Sequence, residues 1–154
     1  MASKKRTLVL GIGNQILSDD SVGIKVAAGL KKAAVPAEVR ELTATGISLL
    51  DEMDGYEKLV IIDSIKTGDN PPGTLIKLSI EDLDYAVNLS TCHNVNLPTA
   101  ILLGRKLNRK MPGDISIYAV EIMDNNTYSE ECTPLVEASI PSVVAQIIKE
   151  QFSA

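Results

Sequence analysis

Two hydrophobic periods alternate along this chain. Leu8-Val-Leu-Gly-Ile12 and Leu59-Val-Ile-Ile62 are apolar almost without interruption, as expected of parallel strands buried on both faces. Glu38-Val-Arg-Glu-Leu42 is a more modest strand, and Ile115-Ser-Ile-Tyr-Ala-Val120 alternates between faces. Between the strands, Val22, Val26, Ala27, Leu30 and Ala34 recur at helical spacing, and Ser48 to Met53 forms a short helix stopped by Gly55. A longer helix is expected with Pro98 near its start, Ala100, Ile101, Leu103 and Leu107 as its apolar positions, and Asn94 or Asn96 as its cap. Thr133-Pro134 opens the last helical region, where Val136, Ile140, Val143, Val144, Ile147 and Ile148 make one stripe. Pro141 is expected to kink or split that region, with Ser139 as a second cap.

Strands alternating with helices predict an open sheet covered on both faces. One connection departs from the pattern. Ser64 to Pro72 is too short, and too rich in Gly and Pro, to be a helical crossover, so the strand Gly73 to Leu78 is expected to lie antiparallel at an edge. The predicted fold is an α/β single-domain three-layer sandwich over residues 1–154. It has about five strands in a mostly parallel twisted sheet, helices on both faces, one antiparallel edge strand, and a loose N-terminal tail over residues 1–6.

Composition narrows the function. A chain of 154 residues with 45% hydrophobic content can fill one real core. Its net charge of -5 argues against a nucleic-acid partner, which needs a clustered basic surface. Lys4-Lys5-Arg6 is the only dense basic run, and the apolar stretch after it breaks at Gly13-Asn14. That is too short for a signal peptide or a membrane span, so a cytoplasmic protein without membrane insertion is expected. Cys92 and Cys132 are too far apart in sequence to suggest a zinc motif or a disulfide framework.

The candidate chemistry starts at Gly11-Ile-Gly-Asn-Gln-Ile-Leu-Ser-Asp-Asp-Ser-Val-Gly23. The loop lies between a strand and a helix, where a dinucleotide fingerprint would sit, but Ile16 occupies the place of the third glycine. Asp19 and Asp20 would repel phosphate and attract cations. Either acid, or Ser21, would also serve as a cap for the following helix. Asp63 ends the third strand and fits both a site at the sheet's carboxyl edge and an Asx-type turn. His93, the only histidine, lies in the polar loop Ser90-Thr-Cys-His-Asn94. If the first and third strands are neighbours, these acids converge, and with an imidazole they suit nickel, zinc or iron. No Ser-His-Asp, Cys-His or His-Glu-x-x-His arrangement offers an ordinary peptidase route.

The Gly11-x-Gly-Asn14 motif, with Asp19-Asp20 and Gly23 after it, resembles the N-terminal signature of the hydrogenase maturation endopeptidases. Thr45-Gly46-Ile-Ser-Leu-Leu50, Leu59-Val-Ile-Ile-Asp63, Cys92-His-Asn-Val-Asn-Leu97 and Ile117-Tyr-Ala-Val-Glu121 resemble later stretches of that family in order and approximate spacing. The resemblance implies a five-stranded twisted sheet between helices. It also implies a task, the removal of a C-terminal extension from the large-subunit precursor of a nickel-iron hydrogenase after nickel insertion. On this resemblance, Asp20, Asp63 and His93 contact nickel, and Asp20 or Asp63 also takes part in hydrolysis. Asn14, Thr45 and Gly46 are expected at the substrate, and the loop glycines look like backbone room for a bulky precursor. Nickel is expected to arrive with the substrate, with no tightly bound cofactor required in the isolated protein. Asp19 is assigned to the helix cap. Family members often carry Glu where Asp20 stands, Gly at Ser21 and Asp at Asn94; the last departure removes a carboxylate beside His93. Two other classes share the architecture: a non-catalytic nickel-site docking or chaperone module, and a flavodoxin-like nucleotide or flavin binder.

Overall fold

The computed structural model describes residues 5–43, 47–80 and 97–153. In chain order the elements are β1 (Thr7–Ile12), α1 (Val22–Lys32), β2 (Glu38–Leu42), α2 (Ile47–Met53), β3 (Lys58–Ile65), β4 (Leu75–Leu78), α3 (Leu97–Lys106), β5 (Asp114–Glu121) and α4 (Pro134–Gln151). The strand order is β2-β1-β3-β5-β4. All pairings are parallel except β4 with β5, so the Gly- and Pro-rich connection does deliver an antiparallel edge strand.

Alternation along each strand sorts side chains into two cores. Val9, Val60, Ile62, Tyr118 and Val120 pack with Val22, Val26 and Leu30 of α1 and Val136, Val143 and Ile147 of α4. Leu8, Leu10, Leu59, Ile61 and Ile117 face the other way, onto Leu49 and Met53 of α2 and Ile101 of α3. The result is the expected three layers, with α1 and α4 on one face and α2 and α3 on the other.

Three details differ from the sequence reading. First, β3 does not end at Ile62: Asp63, Ser64 and Ile65 continue it, paired with Ala119, Val120 and Glu121 of a similarly longer β5. Asp63 is therefore a sheet residue rather than a turn residue. Second, α4 runs unbroken through Pro141. The proline is exposed, as is Glu137 one turn earlier, whose carbonyl loses its intrahelical donor on the solvent side. Third, no side chain of Asp19, Asp20 or Ser21 caps α1. Ser21 occupies the N-cap position without a capping bond, and both acids lie in a short 3-10 turn, Ser18–Ser21, ahead of it.

At the amino edge of the sheet, the Arg6 carbonyl accepts the N–H groups of Glu57 and Lys58 at 3.0 and 3.1 Å; residues 1–4 of the expected tail lie outside the described residues. Among the described residues no helix is long and apolar enough to cross a membrane.

Candidate active site

The chain passes from β1 to β2 on one side and then to β3 on the other, so strand order reverses between β1 and β3. That switch point, at the carboxyl ends of the strands, is where sheets of this kind bind ligands. The loop after β1 is drawn in close there. A Cβ on Gly23 would lie 2.5 Å from the Ile62 carbonyl oxygen and 2.6 Å from that of Ile12. A Cβ on Gly13 would collide with the backbone oxygen of Asp20. The space expected for a precursor at these glycines is therefore filled by the protein's own main chain. Their absent side chains let the start of α1 sit directly on the ends of β1 and β3.

This packing carries Asp20 to β3. Asp20 is 2% exposed, and the Ser64 hydroxyl donates to its Oδ1 at 2.9 Å. The Ser64 backbone N–H donates to Oδ1 of Asp63 at 2.7 Å. One residue thus links the two acids: its hydroxyl holds Asp20 and its amide holds Asp63. Ser64 itself is fully buried. Sequence reasoning missed it because the strand was read as ending at Asp63, which left Ser64 in the following connection.

Asp19 points elsewhere. It is fully buried, and its carboxylate accepts the backbone N–H groups of Met123 and Asp124 at 3.1 and 3.0 Å. It also accepts the Thr133 N–H at 2.6 Å and the Thr133 hydroxyl at 2.8 and 3.0 Å. Its own N–H donates to the Asp124 carbonyl at 3.0 Å. The residue assigned as a helix cap instead joins the loop after β1 to the loop after β5 and to the start of α4. Next to it Ser18 holds a positive φ of 46°, a conformation serines seldom adopt. Its N–H donates to the Ser129 carbonyl, and its own carbonyl accepts the Ser21 hydroxyl at 2.7 Å.

A fourth carboxylate went unrecognised at the same edge. Glu121 shares a face with Asp63, in register with Ile65, and is 1% exposed. It accepts the Thr67 N–H at 2.8 Å, the Thr67 hydroxyl, the Gly68 N–H at 3.4 Å and the Asn70 amide at 3.5 Å. Burial pushes its pKa up, but these donors, led by Thr67, outweigh burial and hold it below the ordinary carboxylate value. Cys132 is shifted the other way: burial raises its thiol pKa, which keeps it protonated near neutral pH and a poor nucleophile.

Of the remaining expected site residues, Asn14 shapes its own loop, its Oδ1 accepting the Ile16 N–H at 3.1 Å. Thr45, Gly46, His93 and Asn94, with the helix caps Asn94 and Asn96, lie outside the described residues. The His93 segment directly precedes α3 in sequence, and α3 packs on the sheet face that carries Asp63. Among the described residues no three His, Cys, Asp or Glu side chains gather closely enough to hold a metal ion.

Fold and site together define a class: a doubly wound α/β protein whose switch point presents buried carboxylates in place of a phosphate-binding loop. Residues 24–150 match the family described as hydrogenase maturation protease, and the chain belongs to that family. It is accordingly a peptidase. It is 27% identical over 147 residues to the hydrogenase 2 maturation protease of Escherichia coli, covering 93% of this chain and 88% of that protein. The solved structure of the hydrogenase maturating endopeptidase HybD from E. coli matches with a TM-score of 0.79 at 26% identity, over 94% of this chain and 91% of that one. The nickel-iron hydrogenase maturation protease HybD from Thermococcus kodakarensis shares the fold, with a TM-score of 0.74 at 22% identity over 96% and 99% of the two chains.

Proposed function

We propose that this peptidase works in the cytoplasm and removes the C-terminal extension of a nickel-iron hydrogenase large-subunit precursor once nickel has been inserted. Asp20, Asp63 and His93 contact the nickel carried by the substrate, and one of the two aspartates also serves hydrolysis as a general base towards water. Thr45 and Gly46 line the substrate cleft, with Asn14 at its rim. The observation that carries the reading is the Ser64 bridge, which joins Asp20, in the turn before α1, to Asp63, in β3, at the switch point of the sheet. Carboxylates and an imidazole are suitable donors to a nickel ion with open positions. Cleavage then depends on a finished metal centre, because the enzyme's own residues supply only part of the ligand set.

The test is cleavage of nickel-loaded precursor by Asp20→Ala, Asp63→Ala and His93→Ala, each checked for native melting. The aspartate variants are expected to lose about 100-fold or more in rate, the scale of a lost acid-base group. Wild-type protein is expected to leave nickel-free precursor intact. Unchanged cleavage by all three variants would overturn the proposal.

A further inference from the structure

The loops after β1 and β5 turn large apolar side chains outward. Ile16 is 51% exposed, Met123 53% and Tyr128 81%. These loops are nevertheless tightly tied. Leu17 pairs in parallel with Ser129, the Ser129 N–H donates to the Ile16 carbonyl at 2.9 Å, and the Ser18 N–H donates to the Ser129 carbonyl at 2.9 Å. Ile16 and Tyr128 therefore stand side by side, one step before that bridge. Met123 is held by its N–H on buried Asp19, and the next turn is closed by the Asn126 and Thr127 N–H groups on Asp124 at 2.8 and 3.0 Å.

Tying down the backbone beneath apolar side chains that stay in water buries none of their surface. It does favour association, because the ordering cost is met before the partner arrives. An exposed tyrosine on a tied backbone is also the residue type that anchors interfaces. Charge narrows the partner's chemistry. Asp124, Glu130 and Glu131 lie on the same segment with Glu137 just beyond, and these four acids outnumber the two nearby cations, Lys25 on the Glu130 carbonyl and Glu137 and Lys66 on Asn125. The platform adjoins the site through Asp19, the residue before Asp20. A second copy of the chain seated there would crowd the acids, whereas a substrate chain would be led to them.

We propose that Ile16, Met123 and Tyr128 form a docking platform for an apolar stretch of the precursor flanked by basic residues, placed so that the scissile segment reaches Asp20 and Asp63. This rests on the precursor-processing function proposed above. The experiment is steady-state cleavage of nickel-loaded precursor by the full-length double variant Ile16→Ser/Tyr128→Ser, and by Tyr128→Ser alone in case the double variant melts early. We expect KM to rise about tenfold and kcat to stay within about twofold, with KM of wild type and variant rising alike as added salt screens the acidic segment. KM within about twofold of wild type in both variants, while Asp63→Ala abolishes cleavage, would overturn the platform and leave the protease function standing. Cleavage by Asp63→Ala and the other site variants at the wild-type rate would instead refute the underlying function. A wild-type dimer in sedimentation that the double variant dissociates would assign the surface to self-association and overturn the proposal.

Discussion

Two corners of the carboxyl edge are each held by a buried carboxylate, and they are built differently. Asp19 reaches across 104, 105 and 114 residues of sequence to Met123, Asp124 and Thr133, fixing the exit from β5 and the entrance to α4 at once. Glu121 reaches back 51 to 54 residues to Thr67, Gly68 and Asn70, and gathers a single loop. Both accept main-chain N–H groups, which have fixed directions and no alternative role. Asp20 accepts the side-chain hydroxyl of Ser64. The difference separates acids that gather backbone from distant loops from an acid tied to the neighbouring strand through Ser64, though Asp19 and Asp20 are adjacent in sequence and both are buried.

The comparison is broken most directly at Asp19. Asp19→Ala removes the fully buried acceptor of three backbone N–H groups and the Thr133 hydroxyl. A stability loss of about 3 kcal/mol or more is expected in urea unfolding, since several partly buried donors lose their acceptor together. Cleavage should fall with it, because the platform residues on both loops lose their common anchor. A loss below about 1 kcal/mol would show that the two loops hold together without the carboxylate.

How the two corners were read from sequence follows from how they are built. Strand and helix periods are local, so β1, β3, β5, the antiparallel β4 and the helices were legible, and neighbouring β1 and β3 made the meeting of Asp20 and Asp63 foreseeable. Asp19 was mistaken for a cap because a cap is the local use of an acid at a helix start, and its partners lie more than 100 residues away with no pattern marking them. Glu121 was recoverable. Ile115, Ile117, Ala119 and Glu121 fall on one face of β5, and one more step of the alternation places a charge at a buried position that demands donors. The loop glycines misled because spare backbone room looks the same in sequence whether a ligand or a helix fills it.

Glu121→Gln tests the smaller corner. The amide keeps the shape but turns an NH2 group towards donors that need an acceptor, at a cost of about 1–2 kcal/mol near neutral pH. The pH dependence has a definite sign. The carboxyl is held below its ordinary value of 4.5, so its contribution is complete above that pH and disappears as pH falls through the lower folded value. The stability gap between wild type and variant should therefore be constant near neutrality and close on acidification. A gap that persists in acid would mean that packing of the side chain, rather than its charge, secures the Thr67 loop.

The smallest change falls between the corners. Ser64→Ala removes the hydroxyl on Asp20 but keeps the backbone N–H on Asp63, so it separates the two candidate acids without deleting either. Loss of the buried bond to Asp20 should lower stability by about 1 kcal/mol, well under the Asp19 effect. Cleavage of nickel-loaded precursor should nevertheless fall about tenfold, the scale of losing a residue that orients a metal-contacting group. The dissociation between the two readouts is what matters. Asp19→Ala should lose stability first and activity through it, whereas Ser64→Ala should lose activity at a temperature where the protein remains folded. If Ser64→Ala is as stable as expected yet cleaves at the wild-type rate, Asp20 needs no orientation from β3, and its bond to Ser64 does not set it apart from the framing acids.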